Sequence, residues 1–459
     1  MSESFDVVVL GMGPGGEVAA SALLAAGRRV AVVERELIGG ECGYWACIPS
    51  KTLLRPPEAK TAVDRADGVA GAALDWPATR AYRDNMIRHL DDSKQVTGYE
   101  ESGATVLKGV GRITGPGTVE VDGRVLTAEH IIVATGSEAF LPPVQGLAAA
   151  REQGKVWTNR EATTLTDIPG RVVMLGGSAV GVELGLFLRR YGATVTIVER
   201  SGRLLSREDP RPGELTGTYL AGEGIDVRTG VTATAIHIDG QDTVVELDDG
   251  TEVRCDVIVV GSGRTPRTAG LGLETVGVTL GDRGQVLVDE RCRAAANVWA
   301  IGDVTAVMAF THVAMYMGQV VADNILGKAR TARYDGVPRV VFADPEVAAV
   351  GLTSAQASEQ GIRTVSAEVD LSEAIARPWT YEKEPRGHLG VLADADAKTL
   401  IGAWAVGPMA SEWIHTPALA IREQIPIERL TDQIAQFPTY NEAWLGAYRQ
   451  LNLRPTIRN

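Results

Sequence analysis

The stretch FDVVVLGMGPGGEVAASALLAAGRRVAVVE, residues 5–34, reads as strand, glycine turn, helix and second strand. FDVVVL is a β-branched run of the kind that fills buried parallel strands. GMGPGG follows at once and sets Gly11, Gly13 and Gly16 at the spacing of a dinucleotide fingerprint. Each glycine has its own reason. Gly11 makes the tight turn, Gly13 lets backbone approach a pyrophosphate, and Gly16 lets the helix pack closely on the strand. The helix start favours an anion, and Glu34, ending the second strand, is placed for a ribose hydroxyl.

The same order of elements returns in RVVMLGGSAVGVELGLFLRRYGATVTIVE, residues 171–199. Gly176 and Gly181 flank this turn and Glu199 closes the unit, but Ser178 stands at the second glycine position. Serine is small and offers a hydroxyl to a phosphate, at the cost of a less free backbone approach. An acidic Glu199 favours a ribose 2′-hydroxyl over a 2′-phosphate, so NADH is expected. Arg200 and Arg203 lie close by and leave NADPH open. Two such sites in one chain suggest a relay from a nicotinamide to a second cofactor, a flavin. A duplicated domain with one working site is the plainer alternative.

Length fits about three domains of ~150 residues. The 45 basic and 58 acidic residues give a formal charge of −13 without a long basic run. Nucleic acid is therefore not an expected partner, since phosphate binding needs clustered Lys and Arg. No run approaches the ~18 apolar residues of a membrane span, and MSESFDVVVLGMGPGG lacks the parts of a signal peptide. A cytoplasmic protein without a membrane partner is the expectation.

The chain has four cysteines, too few for a disulfide scaffold. Cys255 and Cys292 are isolated and read as small hydrophobes. Cys42 and Cys47 fall in GGECGYWACIPSKTLLRP, directly after the first unit. Five positions along an ideal helix separate Cα atoms by roughly 8–9 Å, beyond the ~7 Å that a disulfide spans. If the two bond, the helix must be distorted around Gly43–Ala46. A helix start nearby would also favour a thiolate. Zinc needs more Cys or His ligands than this stretch has, so no metal is expected. Tyr44 and Trp45, between the cysteines, either narrow access to Cys42 or fill core space.

GGECGYWACIPSK resembles the redox-active segment of the flavoprotein disulfide reductases, the family of dihydrolipoamide dehydrogenase, glutathione reductase and mercuric reductase. The resemblance runs through ATGS at Ala134–Ser137, with Thr135 and Gly136, and GRTP at Gly263–Pro266. It continues through VWAIGDV at Val298–Val304, DPEVAAVGLT at Asp344–Thr353 and LIGAWAVGPMASEWI. It implies an α/β fold with two Rossmann-like domains, for FAD and for NAD(P), and a C-terminal α+β dimerisation domain. The expected limits are 1–150 with 268–335 for FAD, 151–267 for NAD(P), and 336–459 for the interface of a homodimer. By resemblance, Cys42 is the interchange thiol and Cys47 the thiol against the flavin. Lys51 sits near the flavin and pairs with Glu183. Gly302, Asp303 and Thr311 also contact FAD, and Gly263 serves the NAD(P) site. The implied activity passes hydride from NAD(P)H through FAD to the Cys42–Cys47 disulfide, then to a small disulfide or related electrophile.

One family feature is missing. Disulfide-reducing members carry a His before Pro-Thr and a Glu near the C-terminus. Here AQFPTYNEAW keeps Pro438, Thr439 and Glu442 but has Phe437 at the His position. A phenyl ring cannot carry a proton. Either the substrate needs no His (a quinone or an acidic thiol), or Tyr440 moves the proton, or the cysteines are vestigial. Phe437 itself suits stacking on a flat substrate. The alternative activity is an NAD(P)H:quinone or diaphorase reaction that bypasses the cysteines; a non-enzymatic flavoprotein is a third. Mercuric reductases also lack the His but carry a vicinal cysteine pair that NLRPTIRN does not supply. Trp379 and Tyr381 read either as a substrate channel or as a packed loop.

Overall fold

The computed structural model describes residues 3–453. The described residues form two compact units: 3–52, 80–141 and 263–333 make the first, and 53–79, 142–262 and 334–453 the second.

The first unit is built on strand β1 (Glu3–Leu10), helix α1 (Pro14–Ala25) and strand β2 (Val30–Glu34). β1 and β2 pair in parallel, Val7 opposite Val30 through Leu10 opposite Val33. β1 also pairs in parallel with Arg124–Val133, which carries Val298–Ala300 on its other edge. Val7, Val8 and Val9 have no solvent exposure, as an apolar run covered on both faces requires. An antiparallel hairpin, Gly111–Gly115 with Thr118–Val121, joins the same sheet. The short strand Arg264–Pro266 pairs with Ser137–Ala139, so Gly263 stands where the chain re-enters this unit.

The second unit holds three sheets. A parallel sheet runs Asp226–Thr229, Thr194–Glu199, Arg171–Leu175, Val257–Val260, Val156–Trp157. A three-stranded antiparallel sheet spans Ala233–Asp239, Asp242–Leu247 and Glu252–Cys255. A five-stranded antiparallel sheet of Pro338–Val341, Glu346–Gly351, Thr399–Gly407, His388–Asp394 and Thr364–Asp370 forms the C-terminal part. Helices His415–Arg422 and Ala443–Gln450 pack on it, and their core includes Trp413, Trp444 and Tyr448. Cys255 and Cys292 are buried, as small hydrophobes should be. Among the described residues, no helix is long and apolar enough to cross a membrane.

Candidate active site

Both glycine turns have the same internal construction. A Cβ on Gly11, whose φ is +97°, would lie 2.4 Å from the Ala134 carbonyl oxygen; on Gly176, at φ +112°, it would lie 2.7 Å from that of Gly261. A Cβ on Gly16 would meet the Gly11 carbonyl at 2.1 Å, and on Gly181 the Gly176 carbonyl at 1.9 Å. The closing carboxylates are held alike. Glu34 accepts from the N–H groups of Met12 and Glu36, each at 2.7 Å. Glu199 accepts from Gly177 and Ser201, again at 2.7 Å. Burial raises the Glu34 carboxyl above its usual range, against the pull of those two N–H bonds.

The turns differ at their middle position. A Cβ on Gly13 would meet nothing within 4 Å, and the first turn of α1 has no side-chain cap. Open space beside unspent helix N–H groups fits a pyrophosphate. The hydroxyl of Ser178 instead donates to the Gly261 carbonyl at 2.7 Å. In this structure the proton that could meet a phosphate is spent on a carbonyl 83 residues along the chain. Arg203 also turns inward, its Nη2 donating to the carbonyls of Ser206 and Glu208, whereas Arg200 is exposed.

The cysteine segment is broken at the place where an unbroken helix would hold the sulfurs apart. Helix α2 (Gly40–Tyr44) ends at Trp45, with φ −135° and ψ 0°, and helix α3 (Cys47–Arg65) begins two residues later. The two thiols thereby share a hydrogen bond. The Thr311 hydroxyl, at the start of helix Thr311–Ile325, lies 3.2 Å from Cys47 Sγ and bonds Cys42 as well. The Cys42 thiol is pushed well above the ordinary range, first by the hydrogen it shares with Cys47 and then by burial; Thr311 and the Lys51 ammonium pull the other way. Cys47, not Cys42, opens a helix, so dipole support for a thiolate falls to Cys47. Tyr44 is fully buried and belongs to the core, while Trp45 is half-buried.

The first unit also holds several other expected residues. Gly136 and Gly302 take positive φ, +69° and +74°. The Thr135 hydroxyl donates to the Arg267 carbonyl at 2.7 Å. Asp303 accepts from the Ser137 hydroxyl at 2.6 Å and faces Arg264 at 3.5 Å. Sequence reading missed Glu41, which faces Arg264 and Arg267, each at 3.9 Å. No local pattern reveals that contact, because both partners lie more than two hundred residues further along the chain.

In the second unit, Glu183 is buried on helix Ala179–Arg190 and accepts from the Phe342 N–H at 3.0 Å. Phe437, in a cis peptide bond to Pro438, is 75% exposed. Glu442 is half-buried, and desolvation raises its carboxyl. Tyr440, weighed as a substitute proton carrier, is 4% exposed and stacks on Trp413 at 6.0 Å. Burial raises its phenol, and its hydroxyl has no hydrogen-bond partner among the described residues. A phenol so placed is core, which corrects that expectation for the protomer. Trp379 is exposed and its Nε1 donates to the Ser372 carbonyl.

Residues 5–318 match the family model "Pyridine nucleotide-disulphide oxidoreductase", and residues 337–448 match the dimerisation domain of the same family. The chain is 35% identical to a dihydrolipoyl dehydrogenase of Thermus scotoductus, over 98% of each chain. It is 34% identical to a mercuric reductase of Streptomyces lividans, over 96% of this chain and 94% of the relative. Among solved structures, the Cu(II) complex of the HOCl-induced flavoprotein disulfide reductase RclA from Escherichia coli superposes with a TM-score of 0.87, at 26% identity, covering 98% of this chain and all of that one. The family depends on FAD and NAD(P)H, and its dimerisation domain supports a homodimer. With a mixed α/β fold, two glycine turns and one cysteine pair, the chain belongs to the pyridine nucleotide–disulfide oxidoreductases and is a flavoprotein oxidoreductase acting on a sulfur group.

Proposed function

We propose that the chain is an NADH-dependent reductase of a small disulfide or related electrophile, with Cys42–Cys47 as its working redox pair. The observation that carries this reading is the broken helix that brings both thiols onto the Thr311 hydroxyl. Bound FAD would supply the passage of two electrons from the nicotinamide to the cysteine pair. Gly11, Gly13, Gly16, Glu34, Thr135, Gly136, Gly302 and Asp303 would hold it, with Lys51 near the flavin. Gly176, Gly181 and Glu199 would hold the nicotinamide dinucleotide. Gly263, first assigned to that site, lies in the first unit at a wide φ of +139°, where it ends the crossing segment. The three-domain division remains part of this reading, with the parallel and three-stranded sheets of the second unit as its NAD(P) portion and the five-stranded antiparallel sheet as its interface portion.

The chemistry of the pair follows ordinary exchange. Cys42 sulfur attacks one sulfur of the substrate disulfide, forming a mixed disulfide and expelling the first thiolate. Cys47 then attacks Cys42, expelling the second thiolate and closing Cys42–Cys47. Two electrons pass to the substrate, and the two protons given up by the Cys42 and Cys47 thiols must reach the two leaving thiolates. Thr311 orients the sulfurs without being acidic enough to supply those protons. A leaving thiol that is itself acidic departs as thiolate without waiting for a proton, so such substrates suit a site that lacks the His. Glu442, whose carboxyl is raised, is the remaining acid of the expected C-terminal motif, and it would act on the partner's site.

Cys42→Ser tests this reading. It should abolish NADH-linked disulfide turnover while NADH oxidation by an artificial dye survives. Undiminished disulfide turnover would remove the claim. The exposed ring of Phe437 supports a second reading, reduction of a flat quinone without the cysteines. Full quinone turnover in the Cys42→Ser, Cys47→Ser double variant would favour it.

A further inference from the structure

Between Glu34 and α2 the chain passes through Ile38, which has no solvent exposure. Both ends of its peptide group are tied. Its N–H donates to Asp92 Oδ2 at 2.7 Å, and its carbonyl accepts from the Tyr44 hydroxyl at 3.2 Å. Lys108 Nζ donates to the same Asp92 oxygen at 2.6 Å and to the Glu36 carbonyl. Arg88 lies over the Tyr44 ring at 5.7 Å, with Nη1 3.4 Å from the Tyr44 hydroxyl. The Gln95 amide oxygen, turned toward that guanidinium, accepts from its Nε at 2.6 Å.

The segment that supplies these groups is itself unusual. Arg88, His89 and Leu90 have φ of 53°, 52° and 59°, three successive side-chain-bearing residues in the left-handed region. Such a turn persists only where its surroundings over-determine it. On its other side the loop has no slack. The Gly39 N–H donates to the Met12 carbonyl at 2.7 Å, and a Cβ on Gly40 would lie 2.7 Å from Gly13 Cα. A shift of Ile38 cannot be absorbed against the glycine turn, so it passes on to α2 and Cys42.

We propose that Asp92 and Tyr44 are positioning residues of the redox segment, clamping Ile38 from both ends so that Cys42 meets Cys47 and Thr311. The inference rests on reading Cys42 as the interchange thiol. Tyr44→Phe keeps the ring and removes one hydroxyl; Asp92→Asn keeps the shape and removes the carboxylate.

The test uses FAD-loaded protein, with Cys42→Ser as control. Measured are flavin content, NADH-to-dye turnover, NADH-linked turnover of an aromatic disulfide, and the rate of Cys42 alkylation after anaerobic NADH reduction, read by mass spectrometry. Both variants should keep flavin and dye turnover, lose disulfide turnover by about fivefold, the worth of one hydrogen bond, and alkylate faster at Cys42. Wild-type disulfide turnover and alkylation would overturn the clamp. So would loss of all activities in step with flavin, the mark of a merely structural role. If Asp92→Asn does not fold, Tyr44→Phe decides. If Cys42→Ser keeps disulfide turnover, the parent reading fails, while the alkylation rate still judges the clamp.

Discussion

The two glycine turns share their first and third positions and their carboxylate cage, yet part company in the middle. Gly13 leaves open space at an uncapped helix start, whereas Ser178 spends its proton on Gly261. The shared positions are fixed by backbone collisions that no side chain avoids. The middle position of the first turn meets nothing within 4 Å, so it is free to differ. On the proposed reading, the open first turn is the one that keeps FAD, and the braced second turn takes the coenzyme that arrives and leaves.

The strongest test of the shared frame is Gly16→Ala beside Gly181→Ala. Each methyl would meet a carbonyl at about 2 Å, and such overpacking costs ~1–3 kcal/mol. The first should lose FAD on gel filtration. The second should keep FAD and raise the KM for NADH by roughly tenfold to a hundredfold, the same energy expressed in binding. Equal loss of FAD in both would break the comparison.

An ion cluster sets the second unit apart and predicts its acid behaviour. Burial alone would raise the Asp344 carboxyl, but Arg190, Arg386 and Arg65, at 2.7, 2.9 and 3.1 Å, hold it down to about 2. The folded value lies below the ordinary ~3.9. Its stabilisation is therefore complete above pH ~4 and fades as pH falls toward 2, about 2–3 kcal/mol in all. Denaturant melts at pH 7, 4 and 2 should show this slope, and Asp344→Asn should remove it.

Two smaller tests exchange properties at the carboxylate and the middle position. Glu199→Ala should move preference toward NADPH by on the order of tenfold, about 1.4 kcal/mol, in a comparison of kcat/KM for the two coenzymes. Ser178→Gly should cost about 1 kcal/mol of stability, one hydrogen bond, and leave the KM for NADH nearly unchanged. Gly13→Ser, which has room in the protein, should melt normally without flavin yet hold FAD more weakly.

Much of this was legible in the sequence because it is set by near neighbours. Strand, turn and helix at 5–34 and 171–199 follow from apolar runs and glycine spacing. The break between Cys42 and Cys47 follows from helix geometry once a bond is required. What stayed hidden depends on distant partners. Ser178 finds its acceptor 83 residues away, and Ile38 its clamp at Asp92, 54 residues on. Tyr440 stands three residues from Phe437 in the sequence, yet the rings of Trp413 and Tyr381 pack against it. The family pattern named Lys51 and Glu183, which alone would pass as surface charges.

The most direct measurement is thiol counting after anaerobic titration with NADH. The protein is reduced with successive equivalents, quenched with an alkylating agent, and mapped by mass spectrometry. A relay through the cysteines predicts that Cys42 and Cys47 become labelled together within the first equivalent, as a long-wavelength absorbance band appears. Fully bleached flavin with both cysteines still closed to the reagent would contradict it.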